Sequence, residues 1–267
     1  MLSICTGQGF ESFYPVRKEE TNMKQSIFTI KENVALTSNV YRMLLEGDTS
    51  AVTNCGQFVN IKLDGLFLRR PISVCDCEDG ILTLIYKVVG KGTELMSSMG
   101  AGEKLDVLTG LGNGYDTSLS GNSPLLLGGG VGVPPMYMLC KKLIAEGKQV
   151  SVILGFNTKD EIFYEDEFRA LGAKVTVTTV DGSYGVKGFV TDVMKESDYS
   201  YFYTCGPEPM LKAVYRTSVT EGQFNFEERM GCGFGACMGC SCKTITGYKR
   251  ICKEGPVMKK EEILWES

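Results

Sequence analysis

Residues 125–135 read Leu125-Leu126-Leu127-Gly128-Gly129-Gly130-Val131-Gly132-Val133-Pro134-Pro135, and this stretch decides the fold of the second half of the chain. Three leucines predict a short buried strand, and the prolines suit the first turn of the helix that follows. A glycine-rich turn between a strand and a helix offers backbone N–H groups to phosphate, so it predicts a nucleotide-binding turn. The stretch is not the G-x-G-x-x-G fingerprint, and a simple tight turn is the alternative. The candidate binding residues are Gly128, Gly129, Gly130 and Gly132.

Beyond this turn, strand patterns alternate with helix patterns. The helix after Pro135 places apolar residues on one face, and Gly147 suits its end. Strands are predicted at 150–154, 174–180 and 201–204, and a last helix from about 209 to 217. This alternation is typical of an α/β domain with a parallel, doubly wound sheet, which binds its ligands at the carboxyl edge of the strands.

A second turn of the same kind follows the strand at 201–204, and it reads Cys-Gly-Pro-Glu-Pro-Met. Both turns would lie at the same edge of the sheet, where one nucleotide could touch them together. Its first residue would pack beside a nicotinamide ring or, as the alternative, be a buried structural thiol. The candidate binding residues in this turn are Cys205, Gly206, Pro207 and Met210.

The segment 155–161, Gly-Phe-Asn-Thr-Lys-Asp-Glu, follows the strand at 150–154. It has no arginine to clamp a 2′-phosphate, and it carries two acids, Asp160 and Glu161, beside a single lysine, Lys159. The segment therefore predicts that NAD(H) is preferred to NADP(H).

The first half of the chain, from Met23 to about Thr117, consists of short strand patterns separated by turns. Each is rich in Val, Ile, Leu, Phe or Tyr, and most are bounded by Gly, Asp or Asn. Closely spaced strands of this kind predict an antiparallel barrel. They are expected at 26–34, 40–45, 57–63, 70–75, 81–89 and 104–108.

Two motifs in this half suit a flavin nucleotide. Arg69-Arg70-Pro71-Ile72-Ser73 begins a strand, so an arginine there can pair with a pyrophosphate while the strand runs along the flavin ring. Further on, Tyr86-Lys87 precedes the glycine-rich turn Gly90-Lys91-Gly92-Thr93, which opens a short helix and presents N–H groups to phosphate. Either motif alone is weak, since a basic pair before a strand is usually a solvated strand end. Their order ahead of a nucleotide turn strengthens the prediction.

The chain has 11 cysteines and no histidine. The missing histidines exclude Ser-His and Cys-His nucleophiles, Rieske centres and histidine zinc sites. No secretory signal is apparent, so metal or redox use of the thiols is favoured over disulfides. Cys75, Cys77 and Cys140 lie in apolar stretches and are expected to be small core residues.

The last part of the chain contains the spacing C-x4-C-x2-C-x11-C, formed by Cys232, Cys237, Cys240 and Cys252. The first three match the plant-type [2Fe–2S] pattern, and the glycines around them allow a loop to wrap closely round a cluster. A structural zinc site is the alternative, but zinc is usually held by two C-x2–4-C pairs. Cys242 is a competing thiol, and Cys252 is the preferred fourth ligand because Cys240 and Cys242 would face opposite sides of an extended segment.

The formal net charge of −4 and the lack of a basic stripe argue against a nucleic-acid partner. No apolar run reaches transmembrane length, and the first residues do not have the pattern of a signal peptide. We therefore expect a cytoplasmic protein that does not enter a membrane.

These motifs together resemble the ferredoxin–NADP reductase superfamily. Two segments narrow this resemblance to one family within the superfamily. They are 228–237 (Glu-Arg-Met-Gly-Cys-Gly-Phe-Gly-Ala-Cys) and 251–257 (Ile-Cys-Lys-Glu-Gly-Pro-Val). From Met23 onward the chain is similar to the electron-transfer subunits of class 1B dihydroorotate dehydrogenases. That family implies an α+β multidomain fold with an FAD-binding barrel, an NAD-binding α/β domain and a small C-terminal [2Fe–2S] subdomain.

The resemblance also implies which residues bind each group. The cluster ligands would be the four cysteines named above, and hydride chemistry would belong to FAD and NAD(H), with no catalytic side chain required. The departures from the family pattern are the N-terminal extension and Cys242. The family's flavin contacts fall on Arg70, Pro71, Ile72, Ser73, Ile85, Tyr86, Lys87, Gly92 and Thr93.

In that family the partner is an FMN-containing catalytic subunit that oxidises dihydroorotate to orotate for pyrimidine synthesis, expected here in a heterotetramer. The apolar residues expected at the interface are Phe234, Ala236, Met238 and Ile251. One alternative is the flavin and iron–sulfur subunit of an NAD(P)H–ferredoxin or sulfide oxidoreductase, and another is a redox-sensing or zinc-binding module. The expected divisions are 1–22 (extension), 23–118 (barrel), 119–222 (α/β domain) and 223–267 (cluster subdomain).

Overall fold

The structure, a computed structural model, describes residues 23–265. The predicted N-terminal extension lies outside these residues. Within them, no helix is long and apolar enough to cross a membrane.

The first part of the chain is a closed antiparallel barrel, as predicted, with strands in the order β1-β2-β5-β4-β3-β6. Alternate residues of each strand point inward, because side chains in a strand alternate between its two faces. A short helix, α1 (Lys91–Ser98), follows β5. The strands are β1 (Lys24–Ala35), β2 (Val40–Glu46), β3 (Phe58–Lys62), β4 (Arg70–Glu78), β5 (Ile81–Lys87) and β6 (Lys104–Leu111).

The second part is a seven-stranded sheet in the order β10-β9-β8-β7-β11-β12-β15. All neighbours in it are parallel except β15, which is antiparallel to β12. The helices are α2 (Pro134–Ala145), α3 (Glu165–Ala170), α4 (Val190–Lys195) and α5 (Glu208–Thr217), and the strands are β7 (Pro124–Gly129), β8 (Ser151–Phe156), β9 (Lys174–Thr179), β10 (Val186–Lys187), β11 (Tyr201–Cys205), β12 (Gly222–Asn225) and β15 (Val257–Lys259). Barrel and sheet together confirm the predicted fold class.

The sequence analysis predicted no strand beyond residue 204, but the structure has further strands in the last part of the chain. β12 is a fully buried strand of the parallel sheet, and its Phe224 packs edge-to-face against Phe202 of β11. The chain then leaves the sheet and returns to it as β15. Strands this short depend on pairing with distant neighbours, so local patterning does not reveal them. The division at residue 223 stays a prediction.

Between β12 and β15 lies the cysteine-rich segment, residues 226–256. It contains one hairpin, β13 (Ser241–Thr244) with β14 (Gly247–Arg250). Ile251 of this segment is completely buried with Phe58 of the barrel and Leu125 of the sheet in one apolar core. The segment therefore takes its core from both larger parts.

Candidate functional site

A cavity of about 350 Å³ lies between the barrel and the chain that follows β12. β4 and β5 are neighbours in the barrel and form one wall. Of the predicted flavin contacts, only Gly92 is not part of the lining. The predicted residues that line the cavity are Arg70, Pro71, Ile72, Ser73, Ile85, Tyr86, Lys87 and Thr93.

The two neighbouring arginines at the start of β4 have different surroundings. Arg69 forms an ion pair with Asp106 at 3.0 Å. Arg70 has no carboxylate within ion-pair distance among residues 23–265, and its guanidinium donates to the Leu68 carbonyl at 2.5 Å. An arginine without an acidic partner at a cavity wall is suited to an anionic group such as a pyrophosphate.

Gly92, in the first turn of α1, is in contact with Arg70. A Cβ atom at Gly92 would lie 2.0 Å from Arg70 Nε, so only glycine lets the guanidinium lie against this turn. Thr93 closes the turn, because its hydroxyl accepts from the Val89 N–H at 2.9 Å. The start of α1 and Arg70 therefore form one corner of the cavity, with N–H groups and a positive charge side by side.

The opposite wall of the flavin cavity comes from residues that the sequence did not single out. They belong mainly to the chain just after β12, where Asn225, Phe226, Glu227 and Met230 line the space, together with Pro256 before β15. These residues are far from the barrel in sequence. No local pattern marks them, because they line the cavity only through the position of β12.

A second cavity, of about 580 Å³, lies at the carboxyl edge of the parallel sheet. Its lining includes Gly129, Gly130 and Gly132 of the first turn and Pro207 and Met210 of the second. The two turns are in contact, since a Cβ atom at Gly132 would lie 2.2 Å from the Cys205 carbonyl oxygen. The sheet thus brings both predicted turns to one cavity.

Gly128, Cys205 and Gly206 lie behind this lining. Cys205 is completely buried, and burial raises the pKa of its thiol well above the ordinary value. Gly128 and Gly206 are closely packed, since a Cβ atom at these positions would come within 3.0 Å of Val133 and Met210 respectively. The binding role predicted for these three residues stays a prediction, and their observed contacts are with the protein.

The nucleotide cavity is also lined by Phe156, the last residue of β8, and by Asn157 and Glu161 just beyond it. The Glu161 carboxylate accepts from the backbone N–H of Asn157 at 3.1 Å and from its Nδ2 at 2.8 Å. These contacts fix a negative charge at the end of the strand. Only the acidic character of this segment was visible in the sequence.

The two cavities adjoin. Lys87, Val131 and Glu227 line both of them. Glu227 is reached by solvent from the cleft, yet the protein around it raises the pKa of its carboxyl group through desolvation. No salt bridge joins Lys87 and Glu227, although both flank the junction. A flavin in one cavity and a nicotinamide in the other would meet between these residues.

The cysteine-rich segment brings its predicted ligands together in two pairs. The Cys237 N–H donates to Cys232 Sγ at 3.4 Å, and the Cys252 N–H donates to Cys240 Sγ at 3.4 Å. The hairpin closes the second pair, because the Ile251 N–H donates to the Cys240 carbonyl at 3.1 Å. Ligands separated by a whole hairpin in sequence therefore become neighbours.

Loop N–H groups point at the first pair of thiols. Burial alone would raise the pKa of Cys232, but N–H groups of the loop and the Cys237 thiol lower it to about 6. Burial and the neighbouring Cys240 thiol raise the pKa of Cys252 to about 12. Thiolates that accept several N–H bonds are typical of iron–sulfur ligands.

Two thiol pairs suit the two irons of a [2Fe–2S] cluster, because each iron would take two cysteines. Cys242 packs against Met258, with 4.0 Å between the two sulfur atoms. Its sulfur therefore faces the thioether of β15, at the apolar core that also contains Cys240 and Cys252.

Comparisons with known proteins point to one family. Residues 227–264 match the iron–sulfur cluster binding domain of dihydroorotate dehydrogenase B, and residues 126–216 match the oxidoreductase NAD-binding domain. The chain is 44% identical over 255 residues to the dihydroorotate dehydrogenase B (NAD⁺) electron transfer subunit of Bacillus pumilus, covering 90% of this chain and 98% of that protein. The subunit of the same name from Fusobacterium nucleatum is 44% identical over 259 residues, 90% of this chain and 99% of that protein.

Two solved structures are also similar. One is from a study of flavin-based electron bifurcation by an NADH-dependent reduced ferredoxin–NADP oxidoreductase, with a TM-score of 0.82 and 30% identity over 89% of this chain and 90% of that one. The other, a ferredoxin–NADP⁺ reductase from Neisseria gonorrhoeae with bound FAD and NADP, has a TM-score of 0.64 and 17% identity over 74% of this chain and 91% of that one. The second likeness concerns the fold alone.

The thiol pairs predict the result of cysteine substitutions. Cys237→Ser should abolish iron–sulfur absorbance and leave FAD bound, because it removes a ligand that lies outside the flavin lining. Cys242→Ser should keep the cluster, because that thiol packs against Met258. Iron content and the visible spectrum of each purified variant decide the matter. Loss of the cluster in Cys242→Ser with retention in Cys252→Ser would reverse the ligand assignment.

The position of Arg70 at the corner of the flavin cavity predicts how its substitution changes FAD affinity. Arg70→Ala should weaken FAD binding by about 1.5–3 kcal/mol, since it removes a charge-assisted contact to the pyrophosphate. Titration of the FAD-depleted protein with FAD measures the change. Arg69→Ala is the matched control, because Arg69 already pairs with Asp106. An affinity of Arg70→Ala within twofold of the unsubstituted protein would contradict the assignment.

Proposed function

Because the chain belongs to the family of dihydroorotate dehydrogenase B (NAD⁺) electron transfer subunits, we propose that it passes electrons from a catalytic partner subunit through a [2Fe–2S] cluster and FAD to NAD⁺. The family matches confirm the resemblance carried by the sequence motifs. The single observation that supports the route is the order of the three sites. The flavin cavity shares residues with the nucleotide cavity, and its wall at Met230 leads within two residues to Cys232.

The chemistry in this proposal belongs to the bound groups, and the side chains hold and orient them. Bound FAD would supply hydride exchange with the nicotinamide nucleotide and single-electron exchange with the cluster. Arg70 and the start of α1 would bind the pyrophosphate, and β4 with β5 would carry the ring. Lys87 and Glu227 flank the point where the two rings would meet. No side chain is required as a general base.

We further propose that the partner is an FMN-containing subunit that oxidises dihydroorotate, and that the two form a heterotetramer in the cytoplasm. The cysteine-rich segment supports a protein interface, since Phe234 and Met238 are 45% and 53% exposed beside the ligand cysteines. Exposed apolar residues of this kind are enriched at interface centres. Ala236 is exposed as well. The prediction that Ile251 lies on the same surface is wrong, because this residue is completely buried in the core.

A second candidate function rests on the structure associated with an NADH-dependent reduced ferredoxin–NADP oxidoreductase, which is 30% identical to this chain. A subunit of such an enzyme would also combine a flavin with a nicotinamide nucleotide. The two functions differ in the partner that supplies electrons. Coupling to a dihydroorotate-oxidising subunit favours the first, and coupling to ferredoxin alone favours the second.

The acidic end of β8 predicts the choice of nucleotide. Glu161, held by Asn157, would repel a 2′-phosphate, and Lys87 is the sole basic residue in the lining that the described chain provides. NADH should therefore give a higher kcat/KM than NADPH with an artificial acceptor. Glu161→Gln should raise kcat/KM for NADPH about fivefold, as expected for removal of a repulsion of about 1 kcal/mol.

Asp160→Asn is the matched control for this prediction. It makes the same change in charge at the neighbouring position, which is exposed and does not line the cavity. Steady-state rates with both reduced nucleotides measure the effect. A higher kcat/KM for NADPH in the unsubstituted protein would refute the preference.

The proposed interface predicts that NADH oxidation with dyes does not need the catalytic subunit, whereas dihydroorotate oxidation does. The chain alone should oxidise NADH with dyes and show no dihydroorotate activity, and the catalytic subunit should couple dihydroorotate oxidation to NAD⁺ reduction. Met238→Glu should lower that coupled rate more than tenfold, because an unpaired charge would be buried at the interface. Its NADH–dye rate should change little.

Val219→Glu supplies the control, since Val219 is 88% exposed in the turn before β12, away from the cysteine-rich segment. It should leave both rates unchanged. If the chain alone oxidised dihydroorotate, or failed to bind any such subunit, the proposed two-subunit function would be wrong.

A further inference from the structure

Asn60, in the middle of β3, is a polar residue in an apolar place. Val59 and Ile61 on either side point into the barrel core. Asn60 shares the outer face of the strand with Phe58, because side chains alternate along a strand. Phe58 packs in the core that contains Cys240 and Cys252. Asn60 is 1% exposed, so the cysteine-rich segment covers it.

The side chain of Asn60 makes one hydrogen bond, to a predicted cluster ligand. Its Nδ2 donates to the Cys232 carbonyl oxygen at 3.1 Å. The neighbouring Gly233 has φ +79°, and a Cβ atom there would lie 2.3 Å from Asn60 Nδ2. Both the bond and the missing side chain at Gly233 are needed for the loop to lie this close to the strand.

The other polar atom of this side chain has no partner. Asn60 Oδ1 is buried without a hydrogen bond from any residue in 23–265. Turning the amide over would point an oxygen at the Cys232 carbonyl, so the orientation is fixed by the bond. An unsatisfied buried oxygen costs stability, and an apolar residue of the same size would suit this face better. Stability alone therefore does not explain an asparagine here.

The backbone of Asn60 belongs to the flavin side of the barrel. Asn60 pairs with Pro71 of β4, which lines the flavin cavity. Its carbonyl oxygen accepts from Arg69 Nη1 at 3.2 Å. One residue thus joins the flavin strand through its main chain and the cysteine loop through its side chain.

We propose that Asn60 is a positioning residue for electron transfer between FAD and the cluster, an inference that rests on the proposed function. Its backbone and amide fix the loop at Cys232 against the flavin strand. The bond is to the Cys232 carbonyl and not to its sulfur, so it acts by holding the loop whose Ala236 and Cys237 N–H groups donate to Cys232 Sγ. Hydrogen bonds to the ligand sulfur favour the reduced cluster. In the step that it would support, the reduced cluster would lose one electron and the flavin would gain it, and no bond would form or break.

The test is a redox titration of the isolated chain loaded with FAD and the cluster, followed by the EPR signal of the reduced cluster. Asn60→Leu keeps the size of the side chain and removes both polar atoms, and Asn60→Ala avoids any steric effect. At a fixed applied potential, the ratio of reduced to oxidised cluster should fall about fivefold in both variants, the equivalent of one hydrogen bond of about 1 kcal/mol. Asn60→Leu should unfold no earlier than the unsubstituted chain.

Asn113→Ala is the matched control. Asn113 also ties the C-terminal part to the barrel, by donating from Nδ2 to the Val257 carbonyl at 2.7 Å, but it bonds to no ligand cysteine. It should lower stability and leave the ratio unchanged. Folded Asn60 variants that lose the cluster while Asn113→Ala retains it would also support the proposal. Ratios within twofold of the unsubstituted chain would overturn it. A chain without any cluster signal before substitution would instead refute the proposed function.

Discussion

The pairing of β15 with β12 is the interaction on which the functional arrangement depends. It returns the chain to the sheet after the cysteine-rich segment, so both ends of that segment are held by one antiparallel pair. The segment lacks a core of its own and borrows one, with Ile251 packed between barrel and sheet. Without this anchorage, four thiols on a glycine-rich loop would have no fixed relation to either cavity. The same pairing sets the wall of the flavin cavity that begins at Asn225.

From that constraint follows the order of the sites. The barrel supplies one wall of the flavin cavity and the chain after β12 supplies the other, so the flavin lies between the two larger parts of the molecule. Its neighbours are the nucleotide turns on one side and the thiol pairs on the other. The distribution of charge agrees with this order. Within the described part of the chain, Arg70 has no carboxylate partner where a pyrophosphate would lie, whereas the adjacent Arg69 forms an ion pair with Asp106.

Features that depend on local chemistry were predictable from the sequence. The strand–glycine–helix turn at 128–132, the arginine that begins β4 and the spacing from Cys232 to Cys240 each work through residues close together in the chain. Features that depend on distant pairing were not. Glu227 lines both cavities and Asn60 reaches Cys232 only because β12 carries the segment past the barrel. Ile251 read as a surface residue for the same reason, since its burial comes from partners far away in sequence.

Because of the hairpin β13–β14, the third and fourth thiols are close in space although many residues lie between them in the chain. Its register runs from Ser241 opposite Arg250 to Thr244 opposite Gly247, and Cys240 and Cys252 lie just beyond its open end. Lengthening both strands by one residue would move the turn outward and leave the open end unchanged. Variants in which both strands are longer by one residue should therefore keep Cys240 beside Cys252. A residue inserted into one strand alone would shift the register and draw Cys252 away from Cys240.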